Sequence, residues 1–324
     1  MGNNRIVFID QLKGLAMLAV VFNHLLQFCF GVNYTTTNTM LAIFDLPLFF
    51  FISGYFCYKE RVFNVKETLS LLSKKFKNYV FPFLSVGLLY CFLFKQSVTD
   101  MILDGGGRFW FLPALFEISV ICILLNQLSN TFQRKKRFPL IDILIYLVPY
   151  LILVVGKLYW KDAPAWLHID HMVTYYRHFV LGMMVKKYAN IEGFLTKQPW
   201  IYALCFVFYL LGVKYIEQHN MVLIFMSQAG SIVLLWVFFQ QLKTRNIVTR
   251  CLEIVGGHTL GIYVFHYFLL FDLKWLSSYI SYNNFFTLHL MLCLVSCCVI
   301  IPCCILIESM LSKNKYLSIL FLGK

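Results

Sequence analysis

Residues 5–24 read R-I-V-F-I-D-Q-L-K-G-L-A-M-L-A-V-V-F-N-H, a stretch apolar enough to cross a bilayer that nevertheless contains Asp10, Lys13 and His24. An ionisable group inside hydrocarbon costs about 3 kcal/mol of insertion free energy, so this set favours a functional site. At about 100° per residue, Lys13 lies within about 20° of His24 on the helical wheel and Asp10 about 40° from it. One helix face therefore carries all three side chains and rises roughly 16 Å from Lys13 to His24. The alternative that His24 only packs stays open.

The composition of the whole chain is that of a membrane protein. Of 324 residues, 60% are hydrophobic and only 13% are charged, whereas soluble domains carry about 25% charged residues. Apolar runs recur from end to end. The sequence therefore predicts an all-α polytopic protein of the cell's cytoplasmic membrane, with the lipid bilayer as a partner.

The apolar runs predict about ten transmembrane helices on the basis of about 20 residues per span. The sixth is the weakest of them, because Arg177 and His178 interrupt it. The predicted spans are 7–30, 42–58, 79–95, 109–127, 139–157, 172–187, 199–216, 221–241, 257–275 and 286–309.

The net charge of +13 follows this topology rather than a nucleic-acid-binding face. Twenty-one of the 28 Lys and Arg residues fall at the N-terminus, in alternate loops or in the C-terminal tail. Cytoplasmic loops carry such an excess, so both termini are predicted to be cytoplasmic and no nucleic-acid partner is expected. Residues 64–78 predict an amphipathic helix on the cytoplasmic surface. No second domain is evident, and we expect residues 1–324 to form one transmembrane domain.

The second and fourth spans contain further polar residues. F-D-L-P-L-F-F-F-I-S-G-Y-F, residues 44–56, places Asp45 at a depth comparable with His24, although Asp before a proline also suits a helix cap. The small pair Ser53-Gly54 lets another helix approach closely. R-F-W-F-L-P-A-L-F-E, residues 108–117, places Glu117 about 12 Å into its span. An acid at that depth needs a partner such as His24, or must stay protonated.

Two further stretches leave alternatives open. Trp110 shares a helix face with Glu117 but also suits an interfacial belt. The outer loop 157–171 brings together tryptophans, His168, Asp170 and His171. These rings could hold a sugar or form a belt, while the metal signal is weak and no metal is expected. The ninth span opens G-G-H-T-L-G-I-Y-V-F-H-Y, residues 256–267, with His266 inside the span and small residues suited to close packing.

At these residues the chain resembles the acyltransferase family 3 of membrane O-acyltransferases. The family's first span carries an Arg, an Asp, a basic-Gly pair and a deep His, matched by Arg5, Asp10, Lys13-Gly14 and His24. Later elements match P-L-F-F-F-I-S-G-Y at 47–55, W-F-L at 110–112 and the stretch from Gly256 to His266. One departure concerns the paired arginines often found before a proline, because this chain has Lys74, Lys75 and Lys77 ahead of Pro82. Lysine lacks the bidentate fork of arginine.

The resemblance implies transfer of an acyl group, usually acetyl, to a hydroxyl of a cell-envelope carbohydrate. Acetyl-CoA would be a co-substrate, with no bound cofactor. We expect His24 to be the general base, oriented by Asp45 or Glu117. The residues expected on the acyl-donor side are Arg5, Asp10, Lys13, Lys74, Lys75 and Lys77, and those expected to line the acceptor side or a pore are Ser53, Trp110, Arg177 and His266. The competing class is a transporter or flippase of an envelope precursor, in which the polar stripe would line a path.

Overall fold

The computed structural model describes residues 6–31, 36–132, 139–218, 220–242, 245–274 and 282–324, and the regular structure in these ranges is helical. The α-helices are α1 Val7–His24, α2 Thr36–Ala42, α3 Asp45–Cys57, α4 Val65–Phe94, α5 Val98–Leu103, α6 Phe111–Phe132, α7 Pro139–Tyr159, α8 Ile169–Lys187, α9 Ala189–Lys197, α10 Pro199–Tyr215, α11 Met221–Gln241, α12 Ile247–Gly257, α13 Thr259–Phe265, α14 Tyr282–Ser312 and α15 Lys315–Leu322. Short turns of other geometry are the π-helical turn Leu25–Cys29 and the 3₁₀ turns Gly107–Phe109, Ala165–Leu167, Ile216–Gln218 and His266–Phe268.

Seven helical stretches within the described ranges are long and apolar enough to cross a membrane. They are Val7–Cys29, Thr36–Cys57, Val65–Phe94, Phe111–Phe132, Pro139–Tyr159, Met221–Gln241 and Leu290–Ser312. In α7, large apolar side chains such as Leu140, Ile152 and Leu158 are exposed, as expected for a helix that faces lipid. The prediction of an all-α polytopic membrane protein is confirmed.

Helix α4 differs from its prediction, because the expected surface helix 64–78 and the expected span 79–95 are one continuous helix. The start is well defined: Asn64 accepts a hydrogen bond from the Glu67 backbone, and the Glu67 side chain accepts one from the Asn64 backbone. This capping box satisfies two of the backbone donors that a helix start leaves unpaired. Pro82 lies inside the helix without ending it, as neighbouring helices permit in membrane proteins.

The ninth predicted span, 257–275, is interrupted rather than continuous. Helix α12 ends at Gly257, His258 adopts a non-helical conformation, and α13 runs only from Thr259 to Phe265 before the 3₁₀ turn at His266. Residues 270–273 have no regular structure, and the Leu273 N–H donates to the Cys29 carbonyl across 2.8 Å. Non-helical backbone at membrane depth is tolerated where protein or a cavity surrounds it. Residues 262–267 after this break are buried, which meets that condition.

The chain divides into two compact units, the first comprising residues 1–49 and 190–309 and the second residues 50–189 and 310–324. In the first unit α1 packs along α12 at two glycines. A Cβ added at Gly14 would lie 2.1 Å from the Leu252 carbonyl oxygen, and one added at Gly256 would lie 1.8 Å from that of Asp10. The close packing predicted for Gly256 is confirmed, and it holds the polar helix α1 tightly.

In the second unit two other helices, α3 and α8, also pack closely at glycines. A Cβ at Gly54 would lie 1.9 Å from the Phe179 carbonyl oxygen, and one at Gly182 would lie 2.0 Å from that of Phe51, so α3 and α8 touch through their backbones. The close approach predicted at Ser53-Gly54 is confirmed for Gly54. Near the end of α8, Lys187 lies 2.6 Å from Asp142 Oδ2 with both side chains buried. Helix α15 packs on α4.

Candidate functional site

His24 lies where the first span changes its helical geometry. Residues Val7–His24 form an α-helix, and the π-helical turn Leu25–Cys29 follows directly. The predicted face that carries Asp10, Lys13 and His24 is thus one α-helical face. Because the π-helical turn ends the first span, His24 lies one turn before the end of this helical stretch, and its functional role stays a prediction.

The imidazole of His24 contacts that of His266 within the first unit. His24 Nδ1 lies 2.9 Å from His266 Nε2, and the two ring planes differ by only 7°. His266 opens the 3₁₀ turn that follows α13 and is fully buried. Its other nitrogen, Nδ1, lies 2.9 Å from the Ile262 carbonyl oxygen one helical turn earlier. The interruption of the ninth span is what aims this ring at His24.

Tyr267 supplies the third group at this point. Its hydroxyl lies 3.2 Å from His24 Nε2, so both nitrogens of His24 are engaged. Phe28 from the π-helical turn packs against both the His24 and the Tyr267 ring. We call the compact polar group of His24, His266 and Tyr267, which packs against the Phe28 ring, the histidine cluster. Such a group can hold a proton at a defined atom.

Asp45 contacts the residue before His24. Its Oδ2 atom accepts a hydrogen bond from the Asn23 side chain across 3.0 Å, and Oδ1 lies 2.6 Å from the Leu46 backbone nitrogen at the start of α3. The carboxylate is buried. It therefore joins the end of α1 to the beginning of α3 through Asn23, the residue before His24. The orienting role expected of Asp45 stays a prediction.

The N-terminal half of α1 carries two of the residues predicted for the acyl donor, Asp10 and Lys13. Lys13 Nζ lies 2.6 Å from Asp10 Oδ1, and about a quarter of the lysine side chain is exposed. Nearby, Gln11 donates to Glu253 across 2.9 Å, and Glu253 also pairs with Arg245 at 2.8 Å. Arg5, also predicted for the donor side, lies outside the described residues.

In the second unit Glu117 is paired with a histidine of the loop before α8. His168 Nδ1 lies 2.9 Å from Glu117 Oε1, and His168 Nε2 lies 2.8 Å from the Gly105 carbonyl oxygen. Burial lowers the pKa of His168, but the hydrogen bond and charge of Glu117 and backbone carbonyls outweigh it and raise that pKa above its usual value. His168 is therefore the partner that an acid inside a span needs.

Trp110 belongs to a stack of rings beside this pair. Its ring centroid lies 3.6 Å from that of His171 with 11° between the planes, and Tyr175 continues the stack at 5.7 Å from Trp110. Phe50 stacks on Tyr175 at 4.6 Å. Asp170 instead pairs with Lys157 at 2.7 Å. Within the described part of the chain no three His, Cys, Asp or Glu side chains are grouped as metal ligands.

The three lysines of α4 differ in their surroundings. Lys74 and Lys77 are exposed, whereas Lys75 is half-buried and donates to the Tyr79 hydroxyl across 3.2 Å. On α8, Lys186 similarly donates to the Tyr55 hydroxyl at 3.3 Å and lies over the Tyr55 ring. Each of these two ammonium groups lies over a tyrosine ring, which is a cation–π arrangement.

The remaining predicted residues lie elsewhere in the second unit. Ser53 is half-buried next to Gly54, within the close contact of α3 and α8. Arg177 lines a largely apolar groove together with Tyr150 and Tyr176. The structure therefore groups His24 with His266 in the first unit, and Glu117 with His168 in the second.

Sequence reasoning missed two partners at these sites. Tyr267 directly follows His266 in an apolar run, and nothing in its spacing predicts a contact with His24. For His168 the sequence indicates a metal ligand or a sugar contact, and not the pairing with Glu117. For the tyrosine, a polar ring next to an intramembrane histidine was an available signal. The pairing of Glu117 with His168 depends on the loop fold around Gly105, which no spacing rule predicts.

Comparison with known proteins adds an independent finding. Residues 6–308 match a family model described as an acyltransferase domain. The chain is 25% identical to a nodulation protein, NolL, of Mesorhizobium japonicum over 72% of this chain and 64% of that protein. It is 26% identical to NolL of Sinorhizobium fredii over 72% of this chain and 65% of that protein. It is also 22% identical to the inner membrane protein YcfT of Escherichia coli, over 80% and 78% of the two chains.

The sequence similarity covers only part of these relatives. The matched region spans slightly less than two thirds of each of the two nodulation proteins. No solved structure matches the chain.

Proposed function

The chain belongs to the acyltransferase 3 family, and we propose that it transfers an acyl group, acetyl from acetyl-CoA, to a hydroxyl of a cell-envelope carbohydrate. The observation that carries this proposal is the histidine cluster: a membrane-embedded His24 whose two ring nitrogens are both held by defined partners. The family resemblance favours a carbohydrate acceptor.

In the proposed reaction His24 is the general base. The acceptor hydroxyl gives its proton to His24 Nε2 while its oxygen attacks the carbonyl carbon of the thioester. The carbon–sulfur bond then breaks, and the CoA thiolate leaves and takes up a proton. A well-placed general base typically contributes about 10²- to 10⁴-fold to the rate. Asp45 supports His24 indirectly, because it holds the neighbouring Asn23.

The donor side is assigned to the cytoplasmic lysines. Coenzyme A carries phosphates, and half-buried Lys75 with the more exposed Lys74 and Lys77 provides a cationic face on α4. Asp10 and Lys13 form an ion pair on α1 that would keep the lysine ammonium in place beside the donor. We include Arg5 in this set on the strength of the resemblance. The expected consequence of losing such contacts is a higher KM for the donor, since phosphate contacts remote from the carbonyl bind substrate and transition state alike.

The acceptor side is assigned to the outer residues of the second unit. Glu117 Oε2 is buried and has no hydrogen-bond partner among the described residues, so it can accept a hydrogen bond from a sugar hydroxyl. The ring stack of Trp110, His171 and Tyr175 offers an aromatic surface of the kind that packs against a sugar. Ser53 and Arg177 would line the way to this surface. We treat residues 1–324 as one transmembrane domain.

We further propose that the protein lies in the cytoplasmic membrane. It would cross this membrane ten times, with both termini in the cytoplasm. Besides the seven apolar stretches, three helical regions would cross. Helix α8 is 19 residues long but contains Arg177 and His178, α10 has 17 residues, and the ninth span is broken at His258. The relative described as an inner membrane protein and the positive-inside distribution of Lys and Arg both support this topology.

The test uses the purified protein in lipid nanodiscs, with radiolabelled acetyl-CoA and a lipid-linked and polysaccharide extract of the cell envelope. Alkali-labile label on a carbohydrate, dependent on His24, is the expected result. A protein that moves envelope precursors across proteoliposomes without labelling them would instead be a carrier, and the proposal would fall.

A further inference from the structure

The tautomer of His266 follows from its contact with the backbone. His266 Nδ1 lies 2.9 Å from the Ile262 carbonyl oxygen, and a carbonyl oxygen can only accept a hydrogen bond. His266 Nδ1 therefore carries a hydrogen. The ring is fully buried, and its short 3₁₀ turn holds it in place.

The tautomer of His24 follows from that of His266. A neutral imidazole has one N–H group, so His266 Nε2 carries a lone pair and accepts a hydrogen bond. His24 Nδ1, 2.9 Å away and with its ring plane only 7° from that of His266, is then the donor. Because the single N–H of neutral His24 is then at Nδ1, its Nε2 atom carries the lone pair. The Tyr267 hydroxyl donates to this Nε2 atom across 3.2 Å. Every donor in this chain of groups meets an acceptor.

We propose that His266 is a positioning residue that fixes His24 in the tautomer with a basic Nε2. The Ile262 carbonyl oxygen is the fixed end of this series of hydrogen bonds. This inference rests on the proposed function, in which His24 is the general base. The opposite tautomer would present an N–H to the acceptor hydroxyl and could not take its proton. In serine proteases, loss of the group that holds the histidine tautomer lowers kcat by about 10⁴.

The same arrangement stabilises the proton after its transfer. When the O–H bond of the acceptor breaks and an N–H bond forms at His24 Nε2, the new imidazolium keeps its Nδ1–H directed at the lone pair of His266. The hydrogen bond then has a charged donor, and charge-assisted hydrogen bonds are roughly twice as strong as neutral ones. His266 thus acts most strongly after the proton has moved, which lowers the barrier rather than improving binding.

The test compares two substitutions of His266 in the intact protein in nanodiscs. His266→Leu removes the acceptor for His24 Nδ1–H, whereas His266→Gln keeps a side-chain oxygen within reach of it. We expect H266L to lower kcat by about 10²- to 10⁴-fold with donor and acceptor KM within about threefold, and H266Q to recover at least about tenfold of that loss. A parental kcat in H266L, or an equal loss in both variants, overturns the inference.

A spectroscopic measurement keeps the inference testable even if activity is low for other reasons. In protein labelled with ¹⁵N-histidine, the resonances lost in H24Q belong to His24, and their shifts report which nitrogen carries hydrogen. The Nδ1–H form is expected in the parental protein, and H266L should alter it. Finding the Nε2–H form in the parental protein contradicts the inference. If H24Q itself retains full acylation, the proposed function of the protein is wrong. If H24Q is inactive while H266L is unaffected, only the proposed role of His266 is wrong.

Discussion

His24 Nδ1 and His266 Nε2 lie 2.9 Å apart although 242 residues separate them in the sequence. The contact needs a first span that reaches His24 as one α-helix and a ninth span that breaks before His266. It also needs the close packing of α1 on α12, at Gly14 and Gly256.

The Tyr267 hydroxyl occupies the lone pair that the acceptor hydroxyl would use, so removing it should not remove catalysis. We expect Tyr267→Phe to keep kcat within about threefold of the parental value, because the acceptor oxygen replaces the tyrosine at Nε2. Initial rates at saturating acetyl-CoA test this. A loss as large as that of His24→Gln would instead make the tyrosine an obligatory carrier of the proton.

Gly14 is expected to be essential for the packing of α1 on α12. Gly14→Ala places a Cβ 2.1 Å from the Leu252 carbonyl oxygen, so the helices must separate and the apparent Tm should fall. Gly156→Ala is the matched control, because an added Cβ there meets no described atom within 4 Å. That control should be neutral or slightly stabilising, by up to about 1 kcal/mol, since Ala is the better helix former. Equal Tm values for the two variants would contradict the packing account.

The buried pair of Lys187 and Asp142 is expected to show strong coupling. Lys187→Met leaves a carboxylate without its main charge partner in a site where both side chains are almost inaccessible. Breaking such a pair typically costs about 3–5 kcal/mol, whereas replacing both partners by apolar residues costs much less. The double variant with Asp142→Leu should therefore be more stable than the single Lys187→Met variant in thermal unfolding. Additive losses would show that the two charges do not depend on each other.

The pair of His168 and Glu117 predicts a pH dependence of stability. The pKa of His168 is raised in the folded state, so its contribution is fully present below the unfolded pKa of about 6.5 and is lost as pH rises through the folded value. Apparent Tm should fall between about pH 6.5 and the raised pKa. His168→Gln should flatten this part of the profile. A parental profile in that variant would assign the pH dependence to other groups.

Lys75 is expected to contact the acyl donor more closely than other lysines of the same helix. Lys75→Gln should raise the KM for acetyl-CoA about tenfold with little change in kcat, because a phosphate contact contributes about equally to substrate and transition state. Lys66→Gln removes the same charge from an exposed position near the start of α4 and serves as the control. An equal rise in both variants would indicate general attraction by the basic surface rather than a binding contact.

Much of the architecture could be predicted from the sequence because apolar length and charge placement act locally. The eighth predicted span, 221–241, coincides with α11. Residues 7–24 form the predicted apolar helix with one polar face. The break at His258 was not predicted, because Gly256 and Gly257 are compatible with either a close helix contact or a helix end. The histidine cluster depends on that break. Spacing could indicate that His24 and His266 are both deep in the membrane, but not that they meet.

The partners of the acids illustrate the same limit. Glu117 inside a span required a partner by its desolvation cost alone, so the need was predictable. Which residue meets that need is set by two loops that are far apart in the sequence, one containing Gly105 and the other His168, and by the left-handed backbone at Gly105, Gly106, Gly107 and His168. The contact of Asp45 with Asn23 could not be predicted either, because it depends on how the start of α3 packs against the end of α1.

The most direct test of the account is the acylation rate of His24→Gln against the parental protein, both in nanodiscs and both shown by their thermal unfolding to be folded. The account predicts that the labelled acetyl group reaches envelope carbohydrate in the parental sample and that the rate in the variant is lower by at least about 10²-fold. Transfer at the parental rate in the folded variant would contradict it.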